Sequence, residues 1–310
     1  MKNFSTIFTI GLLCFVITGC ATLTKSQFEA IEKFAESTGN FSDYPSGVMK
    51  SLDEICYNRN MLEAATLGPE KVVVEVKSLY NYRKQNHALS SKADISFQIL
   101  DQYANALAML AADTHEEKLK IQAKALGNNI DTLIVKYNSI SDVKRNLPVN
   151  LGKAAGQLLI LGGNQWIRCK QAKWLREYII SGDTLVQEVC KNIETYLEDE
   201  AISDLIENEE SSVDDAYLSF LKAKKPDPEQ LRSLYNPLYT EMLEQLDKTR
   251  QLKEKSLKSI ASLKKAHSKL ADMVIKRKKL KDQIEEVKNL YFEIYTTKEI
   301  FEKIKIVDNP

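Results

Sequence analysis

Residues 183–310 contain no glycine; the last one in the chain is Gly182. The prolines of this tract are Pro226, Pro228, Pro237 and the terminal Pro310. A stretch so poor in breakers, and rich in Leu, Lys, Glu and Ala, reads as helix throughout. From Leu238 to about Ile304 nothing interrupts it. An unbroken helix of that span would be roughly 100 Å long. Leu263, Ala266, Leu270, Met273, Arg277, Leu280, Ile284, Val287, Tyr291 and Ile294 fall at alternating steps of three and four. That is a heptad seam which only Arg277 violates. Between Gln245 and Ser259 any seam is more polar. The seam requires a covering helix, in the same chain or in another subunit. Thr296-Thr297 is a candidate turn that would shorten the helix.

The remainder also reads as helix, punctuated by glycine and proline. Thr24 to Ser37 carries Phe28, Ile31, Phe34 and Ala35 on one face. Val48 to Leu67 follows and stops at Gly68-Pro69. Pro69 suits the first position of a third helix, with Glu70 favourable near its N-terminus. Val72-Val73-Val74 would also suit a strand, but no alternation and no partner strand are evident. Ile95 to Ala112 is amphipathic. Thr114 and Glu117 have capping-box spacing ahead of a helix to about Ile140. Further helices are expected at Val149–Ser181 and Asp183–Asn208, with a restart at Ser212 running to Lys224. Asp227 is placed to cap the last helix and Pro228 to sit just inside it. The expected fold class is all-α: a helical bundle over 26–225, then a long charged helix or helical hairpin over 226–310.

Charge is segregated along the chain. Glu188 to Asp215 holds 11 acids and one lysine, and Lys248 to Lys281 holds 13 basic residues and two acids. A reversal at Pro226 would set 188–204 against 248–264 and partly neutralise both. Each exposed pair adds only about 0–1 kcal/mol, so register and orientation are the larger gain. Lys276, Arg277, Lys278, Lys279 and Lys281 lie beyond the mirrored acids. They read as a solvated face or as a contact for anionic lipid, at about 1 kcal/mol per basic residue near a membrane. No aromatic residues interleave with them to stack on bases, so nucleic acid is not an expected partner.

The N-terminus supplies an address. Lys2 precedes an apolar run, Ile7 to Ile17, which is shorter than the roughly 20 residues that span a bilayer. Gly19 then precedes Cys20, the layout of a secretory signal peptide. Ile17-Thr18-Gly19-Cys20 resembles the lipobox of bacterial lipoproteins; the resemblance covers the first 20 residues alone. It implies removal of residues 1–19, lipidation of Cys20 by diacylglycerol and an N-acyl chain, and a short tether over 20–25. Acyl chains in combination anchor durably where a single one does not. By analogy with enterobacterial lipoproteins, Ala21 in place of aspartate implies the outer membrane, and the lack of an acidic run after Cys20 implies a periplasm-facing position. The mature chain would carry 42 basic and 43 acidic side chains, because Lys2 is the sole charge removed.

The remaining cysteines are Cys56, Cys169 and Cys190. An exported protein is free to form disulfides. Cys169 and Cys190 are the expected pair if Ser181-Gly182-Asp183 folds one helix back on the next; three buried, inert thiols are the alternative. Leu151 to Trp166, LGKAAGQLLILGGNQW, has Gly152 and Gly156 at the spacing that lets helices approach closely. It reads as a tightly packed core helix, and loosely resembles the apolar head of α-helical pore-forming toxins. Trp166 and Trp174 read as core or groove-lining residues.

No catalytic constellation emerges. His87, His115 and His267 are isolated, and His115-Glu116-Glu117 lacks the second histidine of a zinc site. Neither a phosphate loop nor a nucleophile elbow is present. The expected cofactor set is none beyond the acyl chains, with no metal ligands and no catalytic residues.

The sequence therefore points to a lipid-anchored envelope protein, an interaction module or scaffold engaging a protein partner or itself through the C-terminal helix. The alternatives are a membrane-active protein using 151–166 or 276–281, and an enzyme with a helical cleft. Replacing Cys20 with alanine is expected to abolish palmitate labelling and move the protein into the soluble fraction of lysed cells. Retention in the membrane pellet without label would defeat the anchor.

Overall fold

In the computed structural model the described residues are 23–41, 44, 46–85, 88–112, 116–140, 146–147, 167–276 and 281–303. All regular structure among them is helical: α1 (Lys25–Asn40), α2 (Ser46–Ala65), α3 (Pro69–Gln85), α4 (Ala88–Ala111), α5 (Glu116–Ser139), α6 (Ile167–Leu197), α7 (Glu200–Lys224), α8 (Asn236–Lys276) and α9 (Lys281–Phe301). Val72-Val73-Val74 lies within α3, not in a strand.

Local chemistry sets several boundaries. The Thr24 hydroxyl accepts from the Gln27 amide (3.3 Å), and the Gln27 side chain accepts from the Thr24 amide (2.8 Å). That reciprocal box starts α1. At the other end of the bundle the chain reverses through Lys225, which sits at φ 45°. This left-handed conformation normally falls to glycine, and the glycine-free tract has none to offer. Asp227 Oδ1 then accepts from the amides of Glu229 (2.9 Å) and Gln230 (2.8 Å), with Pro228 inside the new turn. A π-helical turn, Leu231–Tyr235, leads into α8.

Helix α8 is the axis. It packs on α9, α6, α2, α7 and α1. Its buried positions run Met242, Leu246, Thr249, Leu252, Ser256, Ser259, Leu263, Ala266, Leu270 and Met273. These are again steps of three and four, so the polar stretch upstream of Leu263 is part of the seam. Buried hydroxyls there are tied across helices. Ser51 Oγ on α2 lies 2.6 Å from Thr249 Oγ1, and Ser259 Oγ lies 2.8 Å from Thr297 Oγ1 on α9. The apolar side chains of all these helices join one core, into which Trp174 is packed.

The long C-terminal helix is not continuous. Helix α9 returns antiparallel along α8, with Lys265 paired to Glu286 (2.8 Å) and Ser259 opposite Thr297. Helix α8 ends at Lys276 and α9 begins at Lys281. Folding back lets the seam cover itself within the chain. It also changes phase: Val287, Leu290, Ile294 and Thr297 are buried on α9, whereas Tyr291 is exposed. Thr296 and Thr297 are helical, not a turn.

Two further boundaries differ from the sequence reading. Helix α6 runs straight through Ser181-Gly182-Asp183 and ends at Leu197; α7 is unbroken through Asn208 and Ser212. Cys169 and Cys190 thus occupy one helix, 21 positions and about 30 Å apart at 1.5 Å per residue. A disulfide requires Cα atoms within about 7 Å, so this pairing is excluded. Cys190 is a buried free thiol.

The charge mirror is present. Helices α6 and α7 run antiparallel to α8, with Glu194 on Lys264 (2.7 Å), Ser203 accepting from Lys253 (2.7 Å) and Glu210 on Arg250 (2.9 Å). Glu209, buried, pairs instead with Arg59 of α2 (2.8 Å).

Gly182 persists inside a helix because a Cβ there would overlap the Tyr103 ring. In an open helix Gly→Ala stabilises by about 0.5–1 kcal/mol, whereas overpacking a core costs about 1–3 kcal/mol. The clash should win. Gly182→Ala is expected to lower the urea midpoint, and its cost to be smaller when measured in a Tyr103→Leu background, where the ring is absent.

Candidate functional site

The described helix ends define one pole. Phe41, capping the end of α1, meets Phe97 of α4 with ring centroids 5.3 Å apart. Gly39 faces Asp101. These helices are antiparallel, so the start of α1 lies beside the end of α4. Gln171 of α6 donates to the carbonyls of Leu110 (2.8 Å), Ala111 (3.2 Å) and Ala112 (2.9 Å). The start of α6 is therefore at the same pole. The end of α8 is there too, because α8 opposes α6: His267 meets Asp183, and Lys264 meets Glu194. Helix α9 runs parallel to α1. Its Val287, Lys288 and Tyr291 share a groove of about 280 Å³ with Ala30, Lys33 and Ser37, and its Phe301 packs on Tyr44 with centroids 5.2 Å apart.

Three sequence features attach to this pole. Cys20 precedes the buried Leu23 by three residues. The apolar stretch 151–166 leads directly into Ile167, the first residue of α6. Lys276 ends α8 and Lys281 begins α9. Cys20, residues 151–166, Arg277, Lys278, Lys279 and Leu280 lie outside the described residues. For Cys169, Lys276, Lys281 and Ile284 only the backbone position is described. Of the seam, Leu263, Leu270, Met273, Val287 and Ile294 are buried within the chain.

The opposite end carries a different surface. Ser51 of α2 sits beside Thr249, and Tyr57 lies six residues beyond, away from the pole. At 1.5 Å per residue this places Tyr57 on the order of 50 Å from the end of α8. There Tyr57 and α3 form an open cleft with Val72, Val73, Val76 and Tyr80. Val73 and Val74 are 68% and 69% exposed. Among the helices described, α3 packs chiefly on α2.

The interior of the bundle, about nine residues from the pole along α8, holds a polar chain that the sequence did not reveal. Tyr103 Oη lies 2.7 Å from His267 Nε2, and His267 Nδ1 lies 2.8 Å from Asp183 Oδ1. A carboxylate can only accept, so Nδ1 carries the proton, and in the neutral ring Nε2 accepts from the phenol. Burial, with Tyr178 and Asp183 nearby, raises the Tyr103 phenol well above its ordinary value and keeps it a donor. Tyr103 stacks on Tyr178 (5.0 Å), and Phe34 covers the imidazole (5.5 Å). Tyr103 and His267 are almost wholly buried. A substrate would reach them only if the bundle opened, so the arrangement fastens α4, α6 and α8 to one another. Residues 103, 183 and 267 share no spacing signal; the one hint was a polar histidine beside the apolar seam.

The described thiols are poor nucleophiles. Burial, reinforced by Glu209, pushes Cys56 up to about 12. Burial raises Cys190 further. Among the described residues no cluster of His, Cys, Asp and Glu has the form of a metal site, and no helix is long and apolar enough to cross a membrane. No family model, curated protein or solved structure matches the chain.

The hydrogen bond from His267 holds the Asp183 carboxyl below its ordinary 3.8. A lowered folded value means that the stabilisation is complete above the unfolded value and is lost as pH falls through the folded one. Asp183→Asn retains an acceptor but cannot titrate. The stability difference between wild type and Asp183→Asn is expected to be constant above about pH 5 and to shrink below about pH 4, as followed by urea denaturation across that range.

Proposed function

We propose that this chain is a lipid-anchored envelope protein that acts as a scaffold or adaptor, held through Cys20 at the outer membrane and facing the periplasm. The observation that carries this reading is the polarity of the body. The start of α1, five residues beyond Cys20, shares a pole with the start of α6, into which 151–166 leads, and with the helix ends that flank 276–281. The exposed apolar cleft of α3 lies at the far end. An anchor at one end and an exposed apolar cleft at the other is an arrangement suited to holding a second protein at a fixed position relative to the anchor.

This moves the expected protein contact. Leu263, Leu270 and Ile294 are buried inside the chain, and a partner would have to unfold the hairpin to use them. The α3 cleft requires no such opening. The reading includes no catalytic step, and its cofactor set is the acyl chains alone. The membrane-active alternative rests on the apolar stretch that leads into α6 at the same pole; it predicts dye release from vesicles, which a scaffold does not produce.

A photo-crosslinking residue at Val73 or Tyr80 of the full chain in cells is expected to trap one discrete protein adduct. The same residue at Glu36 should not. The adduct should weaken in a Cys20→Ala background. Its absence from both α3 positions would reject the distal docking surface.

A further inference from the structure

Helix α9 presents an aromatic face to solvent. Tyr291, Phe292 and Tyr295 are 56%, 61% and 50% exposed, within little more than one turn. Tyr291 and Tyr295 stack with centroids 6.5 Å apart. They lie away from the buried Leu290, Ile294 and Thr297, although Tyr291 also borders the groove with α1, and each keeps half or more of its surface exposed. Contiguous exposed apolar surface of this kind marks a contact site. Tyrosine rings with a polar tip suit the head-group level of a bilayer, where one end is apolar and the other wet.

The tether identifies the occupant. Leu23 is buried in the bundle, and three residues separate it from Cys20. Fully extended, they reach about 11 Å. Helix α9 runs beside α1, with Tyr291 in the groove that Lys33 and Ser37 line. Tyr291 is thus about ten residues, or roughly 15 Å, along the bundle from Leu23. An acylated Cys20 holds the bilayer within that range. The exposed charges flanking the aromatics offset one another, Lys288 and Lys298 against Glu285 and Glu299, so an anionic surface meets no net repulsion.

We infer that the aromatic face of α9 rests on the lipid bilayer that carries the Cys20 anchor, so that the body lies on its α1–α9 side instead of standing on its pole. This rests on the acylation of Cys20 proposed above. Contact through neutral rings differs from contact through the basic run at 276–281 in one measurable respect: it is insensitive to salt.

The test uses the mature polypeptide from Ala21, which keeps every described residue, and vesicles of phosphatidylethanolamine and phosphatidylglycerol. The unacylated chain is expected to cosediment with the vesicles at low and high salt. Tyr291→Ser, Phe292→Ser and Tyr295→Ser together should weaken partition about tenfold or more. The thermal melt should fall only slightly, because each side chain is at least half exposed. Val73→Ser with Val74→Ser, at the far end, should not alter partition. The inference is overturned by absence of sedimentation, by a triple variant that binds like wild type, or by binding that disappears at high salt. It is equally overturned if the chain is a dimer without vesicles and the triple variant is a monomer, since the face would then join two copies. Palmitate labelling of Cys20 in cells reports the anchor separately, so loss of the aromatic contact and loss of the anchor give different results.

Discussion

The burial of α8 is the constraint on which the other helices depend. A helix of 41 residues flanked on several sides needs small or paired side chains wherever another backbone comes close. Thr249, Ser256, Ser259, Ala266 and His267 occupy such positions. Three of the polar ones reach a different neighbour each: Thr249 to α2, Ser259 to α9, and His267 to both α4 and α6. A buried donor or acceptor left without its partner costs about 1–3 kcal/mol. A register slip of one residue would strand several at once. These contacts contribute modestly to stability and strongly to the choice of one packing over its near alternatives.

Long-range electrostatics act in the same direction. The acidic side of α6 and α7 lies against the basic side of α8, and individual exposed pairs are weak. Their collective effect is directional, since only the antiparallel register brings Glu194, Ser203 and Glu210 to Lys264, Lys253 and Arg250. Among the described residues the pairing runs from Arg250 to Lys264, and α8 ends at Lys276 at the same pole as the start of α1.

The proposed function draws on this layout. An all-α body with the start of α1 at one pole and the α3 cleft toward the other has a direction, which an anchored scaffold would need. The buried Tyr103–His267–Asp183 chain has the composition of a proton relay, yet it lies inside the bundle and joins three helices. Composition alone would have made it a catalytic candidate; burial assigns it to holding the fold. The exposed aromatics of α9 present the reverse case, a pattern that resembles core and faces solvent.

The sequence by itself determined the helical class, the cap at Asp227, the chain reversal near Pro226 and the antiparallel facing of the acidic block and the basic one, whereas their register lies four to eight residues from the mirrored 188–204 and 248–264. Each depends on local chemistry or on charge complementarity along the chain, and both are written in residue order. Tertiary structure alone decided that the C-terminal helix folds back at Lys276–Lys281, which shifts the seam from Tyr291 to Leu290, because a heptad repeat records that a face must be covered and not what covers it. It also decided that Gly182 is no turn. The same glycine spacing fits a loop or a close helix crossing, and only the Tyr103 ring packed against α6 distinguishes the two. The assumed turn had carried the Cys169–Cys190 pairing, and a continuous α6 removes it. His267 became legible only when Tyr103 and Asp183, 164 and 84 residues away, were brought to it; no local pattern encodes a contact made by three separate helices.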